Sequence, residues 1–210
     1  MPDSVTGSWT PRQIGNLPTK FQQAGTVIGQ QIITYGGCSI PPNSSFSCEG
    51  QDSYVINVPT GLNIPPAPCP APRQNAVLVP NFNDFSTAFV SQVFLLLGTF
   101  NTSLWQDDGG LLHGEVAVLD INTGSWSRVL PSGDPGTRNG SSFPSPRQGA
   151  AALASSIGLV GSSRPSFSDT IVFGGRDASG TYLSEVSVVE TDFEPHFLTL
   201  KVAGLVVTCI

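Results

Sequence analysis

The feature that most constrains this chain is an ordered series of short apolar runs that occurs three times, each series punctuated by proline and glycine. Each series opens on a proline-rich, basic lead-in: Pro18-Thr19-Lys20, then Pro70-Ala71-Pro72-Arg73-Gln74, then Pro144-Ser145-Pro146-Arg147-Gln148. A small or apolar run follows at Ala24–Ile28, Ala76–Val79 and Ala150–Ala154. A second run ends in glycine, at Gly36-Gly37, Gly98-Thr99 and Gly174-Gly175, and a third occupies Tyr54–Val58, Val116–Asp120 and Val186–Glu190. Runs this short, rich in aliphatic and β-branched residues and bounded by Gly, Pro, Asn or Ser, carry the strand signal and not the helix signal. The pattern predicts strands near residues 31–35, 53–58, 75–79, 92–97, 115–120, 126–130, 148–154, 170–173 and 185–190. Continuous apolar runs such as Phe94–Leu97 suit strands covered on both faces. Turns at Pro59-Thr60-Gly61 and Asn122-Thr123-Gly124 place Gly where a hairpin needs positive φ.

Composition narrows the class further. The 210 residues include 23 glycines and 18 prolines, and only 11% are charged, against about 25% in an average soluble domain. A helical bundle or coiled coil needs Glu, Lys, Leu and Ala at helical spacing, which this chain lacks. A formal net charge of −6 leaves no basic footprint for nucleic acid. Four short strands per unit, repeated between such turns, read as the blades of a propeller.

The repeated landmarks resemble the kelch repeat, in which a hydrophobic strand ends in Gly-Gly, an aromatic precedes the next strand, and a turn leads to a Trp. Ile33–Gly37 and Ile171–Gly175 match the Gly-Gly strand, Tyr182 before Glu185–Val189 matches the aromatic, and Asp120 through Trp126 matches the close of a repeat. Gly98-Thr99 departs from the pattern, Asn63 stands where the first repeat should carry Trp, and Trp9 looks like the end of an earlier blade. The resemblance implies an all-β, partial kelch-type propeller of four-stranded antiparallel blades, open and not closed. Residues 1–17 would end a preceding blade, 18–69, 70–143 and 144–193 would form three blades, the last incomplete, and 194–210 an apolar tail able to cover an open face. Such propellers usually close with six or seven blades, so three imply a fragment or one half of an assembly. In the family pattern Trp126 fills the space between blades with its N–H bonded.

Three sequons, at Asn43, Asn101 and Asn139, point to the secretory route. Under the blade assignment all three fall on the face that carries the loops after the second strand and the loops between blades. The four cysteines, Cys38, Cys48, Cys69 and Cys209, allow three pairings, among which sequence does not choose. Cys38 and Cys48 lie close in a loop-like stretch and are the candidate disulfide. The start of the chain has neither a basic nor an apolar run, so a secretory leader, like any membrane tether, would belong to a longer chain.

Candidate chemistry is thin. His113 and His196 are the only histidines, and their positions do not follow metal-ligand spacing. Galactose-oxidase-like enzymes on kelch-type propellers hold copper with two His and two Tyr. Tyr35, Tyr54 and Tyr182 are present here, but no motif joins them to the histidines. Asp107-Asp108-Gly109-Gly110 lacks the ligand spacing of a calcium loop. Arg73 and Arg147 recur at one place in their repeats and are candidate partner contacts, with a structural bond to a neighbouring loop as the competing reading. The expectation is a non-catalytic interaction module, secreted or on the cell surface, that binds a protein or glycan, with no cofactor and no nucleic acid. The alternatives are a copper-dependent oxidase and an intracellular kelch scaffold.

Overall fold

The computed structural model describes residues 11, 14, 17–40, 45–48, 50–61, 63–64, 70–82, 89–100, 112, 114–130, 143–155, 168–191 and 207–208. These residues build three antiparallel sheets in chain order, none of them closed on itself. The first is a meander of β1 (Ala24–Ile28), β2 (Gln31–Tyr35), β3 (Ser53–Asn57) and β4 (Asn63–Ile64). The second is β5 (Val77–Pro80), β6 (Gln92–Leu96), β7 (Val116–Asp120) and β8 (Ser125–Val129), with β12 (Val207–Thr208) added beside β8. The third is β9 (Ala151–Ser155), β10 (Ser168–Phe173) and β11 (Val186–Thr191). A 3₁₀ turn, Phe89–Ser91, leads into β6.

Hairpin chemistry explains the tight connections. Gly61 and Gly124 have φ of 66° and 67°, and each donates its N–H back across the turn, Gly61 to Asn57 O and Gly124 to Asp120 O, both at 2.8 Å. The Asp120 carboxylate accepts the Asn122 N–H at 2.9 Å and so holds the second turn from inside.

The sheets stack in sequence order. The front of the first, Ala24, Ile33, Tyr35 and Val55, packs against the back of the second, Leu78, Val93, Leu95, Ala117, Leu119 and Trp126. The front of the second, including Val77, Val79, Phe94, Leu96, Val116 and Val118, packs against Ala152, Ala154 and Val172 of the third. The first strands of successive sheets lie together, β1 beside β5 and β5 beside β9. With both faces covered, β6 and β7 are buried residue after residue, as their unbroken apolar runs require. β1 and β9 instead alternate in burial.

One expectation needs correcting. The second strand of the second unit was aligned by Gly98-Thr99, but Leu97 and Gly98 are the pair that match Gly36-Gly37 and Gly174-Gly175. Leu97 takes the left-handed conformation of the first glycine, φ 58° against 65° and 69°, and Gly98 that of the second, φ 83° against 81° and 98°. A buried leucine thus occupies a position where glycine is the easier residue. Of the tail, Val207–Thr208 form a strand along β8 at the edge of the second sheet, and the rest lies outside the described residues. Asn63 does hold the position of Trp126: it pairs with Ile56 as Trp126 pairs with Leu119.

Candidate functional site

The end of the molecule where β2, β6 and β10 finish is assembled from the repeated lead-ins and glycine pairs. In each sheet the lead-in cation meets an acid placed just before the third strand: Lys20 with Asp52, Arg73 with Glu115, and Arg147 with Glu185. The spacing along the chain differs in the three sheets, yet the pair is the same. Arg73 Nη1 also donates to Leu97 O at 3.0 Å, and Arg147 Nη1 donates to Gly174 O at 3.1 Å, so each guanidinium ties the lead-in to the first residue of the glycine-type pair. Left-handed backbone recurs beside the cations as well, at Gln22, Asn75 and Gly149.

Arg73 and Arg147, the candidate partner contacts, are 1% and 0% exposed and face inward. Burial pulls both guanidiniums below their ordinary value, and for Arg73 the neighbouring Glu115 carboxylate opposes that pull. Arg128 adds a second cation to Glu115 at 3.1 Å, which makes a buried cluster of two guanidiniums about one carboxylate. Their chemistry is spent on holding the loops in place.

The glycine pairs also carry the bonds between sheets. Gly37 N donates to Arg73 O and Gly98 N donates to Arg147 O, both at 2.8 Å. Asn75 N donates to Gln22 O at 2.8 Å and Gly149 N to Asn75 O at 2.9 Å. A Cβ on Gly36 would sit 2.2 Å from Arg73 O, so the approach of the second lead-in excludes any side chain there. Tyr35 reaches across with its hydroxyl, which donates to Pro70 O and lies 3.0 Å from Ala71 O. Burial pushes this phenol well above its ordinary value of 10.0, with the Arg73 guanidinium pulling the other way. The Tyr35 ring meets Trp126 edge-on at 5.3 Å. Trp126 fills the space between the first two sheets, but its Nε1 has no acceptor among the described residues, which corrects the expectation of a bonded N–H.

Beyond Gly37 the chain enters a loop of which residues 38–40 and 45–48 are described. Cys38 and Cys48 form a disulfide, with Cα atoms 4.1 Å apart. Ser39 and Ser47 pair within the loop as an isolated bridge, and Cys38 pairs with Phe21 in the same way. The Cys38 sulfur lies 3.0 Å from the Gln74 amide oxygen, so the braced base of the loop rests on the second lead-in. Ile40 and Phe46 stand exposed on the loop, and Phe46 meets Phe21 edge-on at 6.3 Å. Asn43 lies between the two cysteines in sequence; Asn43, Asn101 and Asn139 all fall outside the described residues. Tyr182 is exposed and bridges to Arg176.

His113, His196, Asp107, Asp108, Cys69 and Cys209 also fall outside the described residues. Among the described residues, no three metal-ligating side chains gather, and no helix is long and apolar enough to cross a membrane. The lead-in cations were visible in sequence as a repeat; their acids were not, because Asp52, Glu115 and Glu185 stand 32, 42 and 38 residues after their partners. Comparison with known proteins places no family model on the chain and no curated protein beside it.

Proposed function

We propose that this chain is a partial propeller of the kelch type, a non-catalytic interaction module of the secretory route that meets a protein or glycan through loops at one end of its sheets. The observation that carries the binding role is the loop after Gly37. It is closed by the Cys38–Cys48 bridge, rests on the next lead-in, and holds Ile40 and Phe46 out into solvent. Apolar side chains held exposed on a rigid support suit contact with a partner, since loops placed by a scaffold are where binding concentrates. The blade reading is supported by the recurrence of one cation–acid pair, one glycine-type turn and one set of inter-sheet bonds in successive sheets. The disulfide and the sequons support an oxidising compartment.

The test is binding of the labelled chain, made in a glycosylating secretory host, to cell surfaces and to immobilised glycans. The wild type is expected to bind, and Ile40→Asp with Phe46→Asp to lose that binding while keeping the fold. Equal binding by the double variant, or none by the wild type, would remove the loop from the proposal.

A further inference from the structure

The first two sheets have their fronts covered by the sheet that follows, and the third leaves most of its front bare. By strand register that front is a grid of two rows, Ala151, Phe173 and Val186, then Leu153, Ile171 and Val188. Leu153, Phe173, Val186 and Val188 are 64%, 52%, 62% and 43% exposed, while their counterparts in the second sheet, Val79, Leu96, Val116 and Val118, are at most 5% exposed. The grid is rimmed by polar residues. Ser155, Asp169 and Glu190 form the next row along the strands, and Arg176 stands exposed beyond the other end. An apolar patch inside a polar rim marks an interaction surface.

The chemistry of the patch selects its occupant. A sheet face with no polar side chain in its grid offers neither the concavity nor the convergent polar groups that hold a small ligand. What matches it is another apolar sheet face. Four side chains of this size, opened to this degree, leave roughly 400 Å² of apolar surface in one patch, the size at which such patches are functional. Two copies of it in contact bury roughly 800 Å² from these residues alone, and Ala151, Ile171 and the rim bring the total to the ~1,000 Å² that a specific interface needs. Among the described residues no other face of the chain offers an equal. The back of the first sheet exposes Val27, but Ile56, in register with Ile32 beside it, is already 4% exposed.

We propose that two copies of this chain form a dimer through the fronts of their third sheets, packed face to face about a two-fold axis. Such an isologous contact sets the same patch on both sides and uses it up, so assembly stops at two. The two sheets would lie about 10 Å apart, as sheets packed face to face do. The proposal does not rest on the loop that carries Ile40 and Phe46, so failure of partner binding leaves it standing.

Sedimentation of the full chain over a range of concentrations tests it, with every variant checked for fold by circular dichroism. The wild type is expected to rise from 22.0 kDa to twice that mass and no further. Leu153→Glu and Val188→Glu each bring two unpaired carboxylates into an apolar contact, one from each copy, and should weaken association more than about tenfold. Two control variants at exposed positions elsewhere, Val27→Glu and the pair Ile40→Asp with Phe46→Asp, should associate as the wild type does. A wild type that stays monomeric at every concentration overturns the proposal. So does association that survives in both third-sheet variants, or that is lost equally in either control. Growth beyond the dimer overturns the two-fold arrangement, because a patch that meets itself leaves nothing free for a third copy.

Discussion

The second and third sheets are built on one plan and live in different surroundings. Both open on a proline-rich lead-in whose arginine pairs with a glutamate before the third strand, and both turn through a left-handed pair at the end of the second strand. In the second sheet the Glu115 side chain is 0% exposed and held by two guanidiniums; in the third the Glu185 side chain is 52% exposed. The difference teaches that the repeat specifies geometry, while the neighbours set the energy. An ion pair sealed from water is costly to break because the survivor is left charged and dry; one open to water on one side is screened.

The widest gap between the two sheets should appear when the acid is removed. Glu115→Ala strands Arg73 and Arg128 in the interior and is expected to cost about 3–5 kcal/mol, whereas Glu185→Ala should cost less, because that pair is open to water on the acid's side and Arg147 keeps its bonds to Ser145 and Gly174. Urea titration of both variants checks this, and equal losses would show that burial does not govern the pair. Next comes the turn. Gly98→Ala and Gly175→Ala each force a left-handed alanine, a cost of about 1–2 kcal/mol. At Gly98 the added Cβ would also lie 2.4 Å from the Ala76 Cβ, while at Gly175 its nearest neighbour is Gln148 O at 3.1 Å. Thermal unfolding should therefore drop further for the second sheet than for the third.

A smaller effect sharpens the junction ahead of the second sheet. Tyr35→Phe leaves the Pro70 and Ala71 carbonyls short of a donor and should cost about 1–2 kcal/mol at neutral pH. Its pH dependence has a definite sign. The folded phenol titrates above its ordinary value, so the unfolded chain sheds this proton first, and stability falls as pH rises past about 10. Tyr35→Phe should lose that part of the alkaline decline, and an unchanged alkaline limb would disprove the assignment.

The smallest effect belongs to the exposed turn of the third sheet. Ser179 and Thr181 donate to the Asp177 carboxylate and hold it below its usual range. A depressed carboxylate stabilises the fold above its unfolded value and loses that contribution as pH falls through the folded one. Asp177→Asn should flatten this part of the acid limb, read by titrating the unfolding midpoint of the two proteins side by side.

Most strands were legible because period and punctuation are local. Gln31–Tyr35 was expected as it is found, and the others agree to within a few residues, since aliphatic runs between turn formers have few alternatives. β4, two residues long, offered no run to read. The misaligned turn at Leu97-Gly98 has a physical cause as well. Sequence registers a glycine pair by the glycines, but a leucine can hold the left-handed position when packing around it compensates. The local disulfide candidate was legible because ten residues separate its cysteines. The inward role of Arg73 and Arg147 was only half legible: their recurrence showed in the chain, and their acids did not.

By itself, then, the chain determined the β class, the threefold order of its strands, the hairpin glycines and the repetition of a lead-in cation, all set within a few residues of one another. Tertiary structure alone decided that each cation finds an acid, that the second sheet is sealed on both faces, that Val207–Thr208 pairs at an edge, and that the apolar front of the third sheet is left bare. Those outcomes depend on which surfaces come together across long stretches of chain, and burial, desolvation and edge pairing have no value until they do.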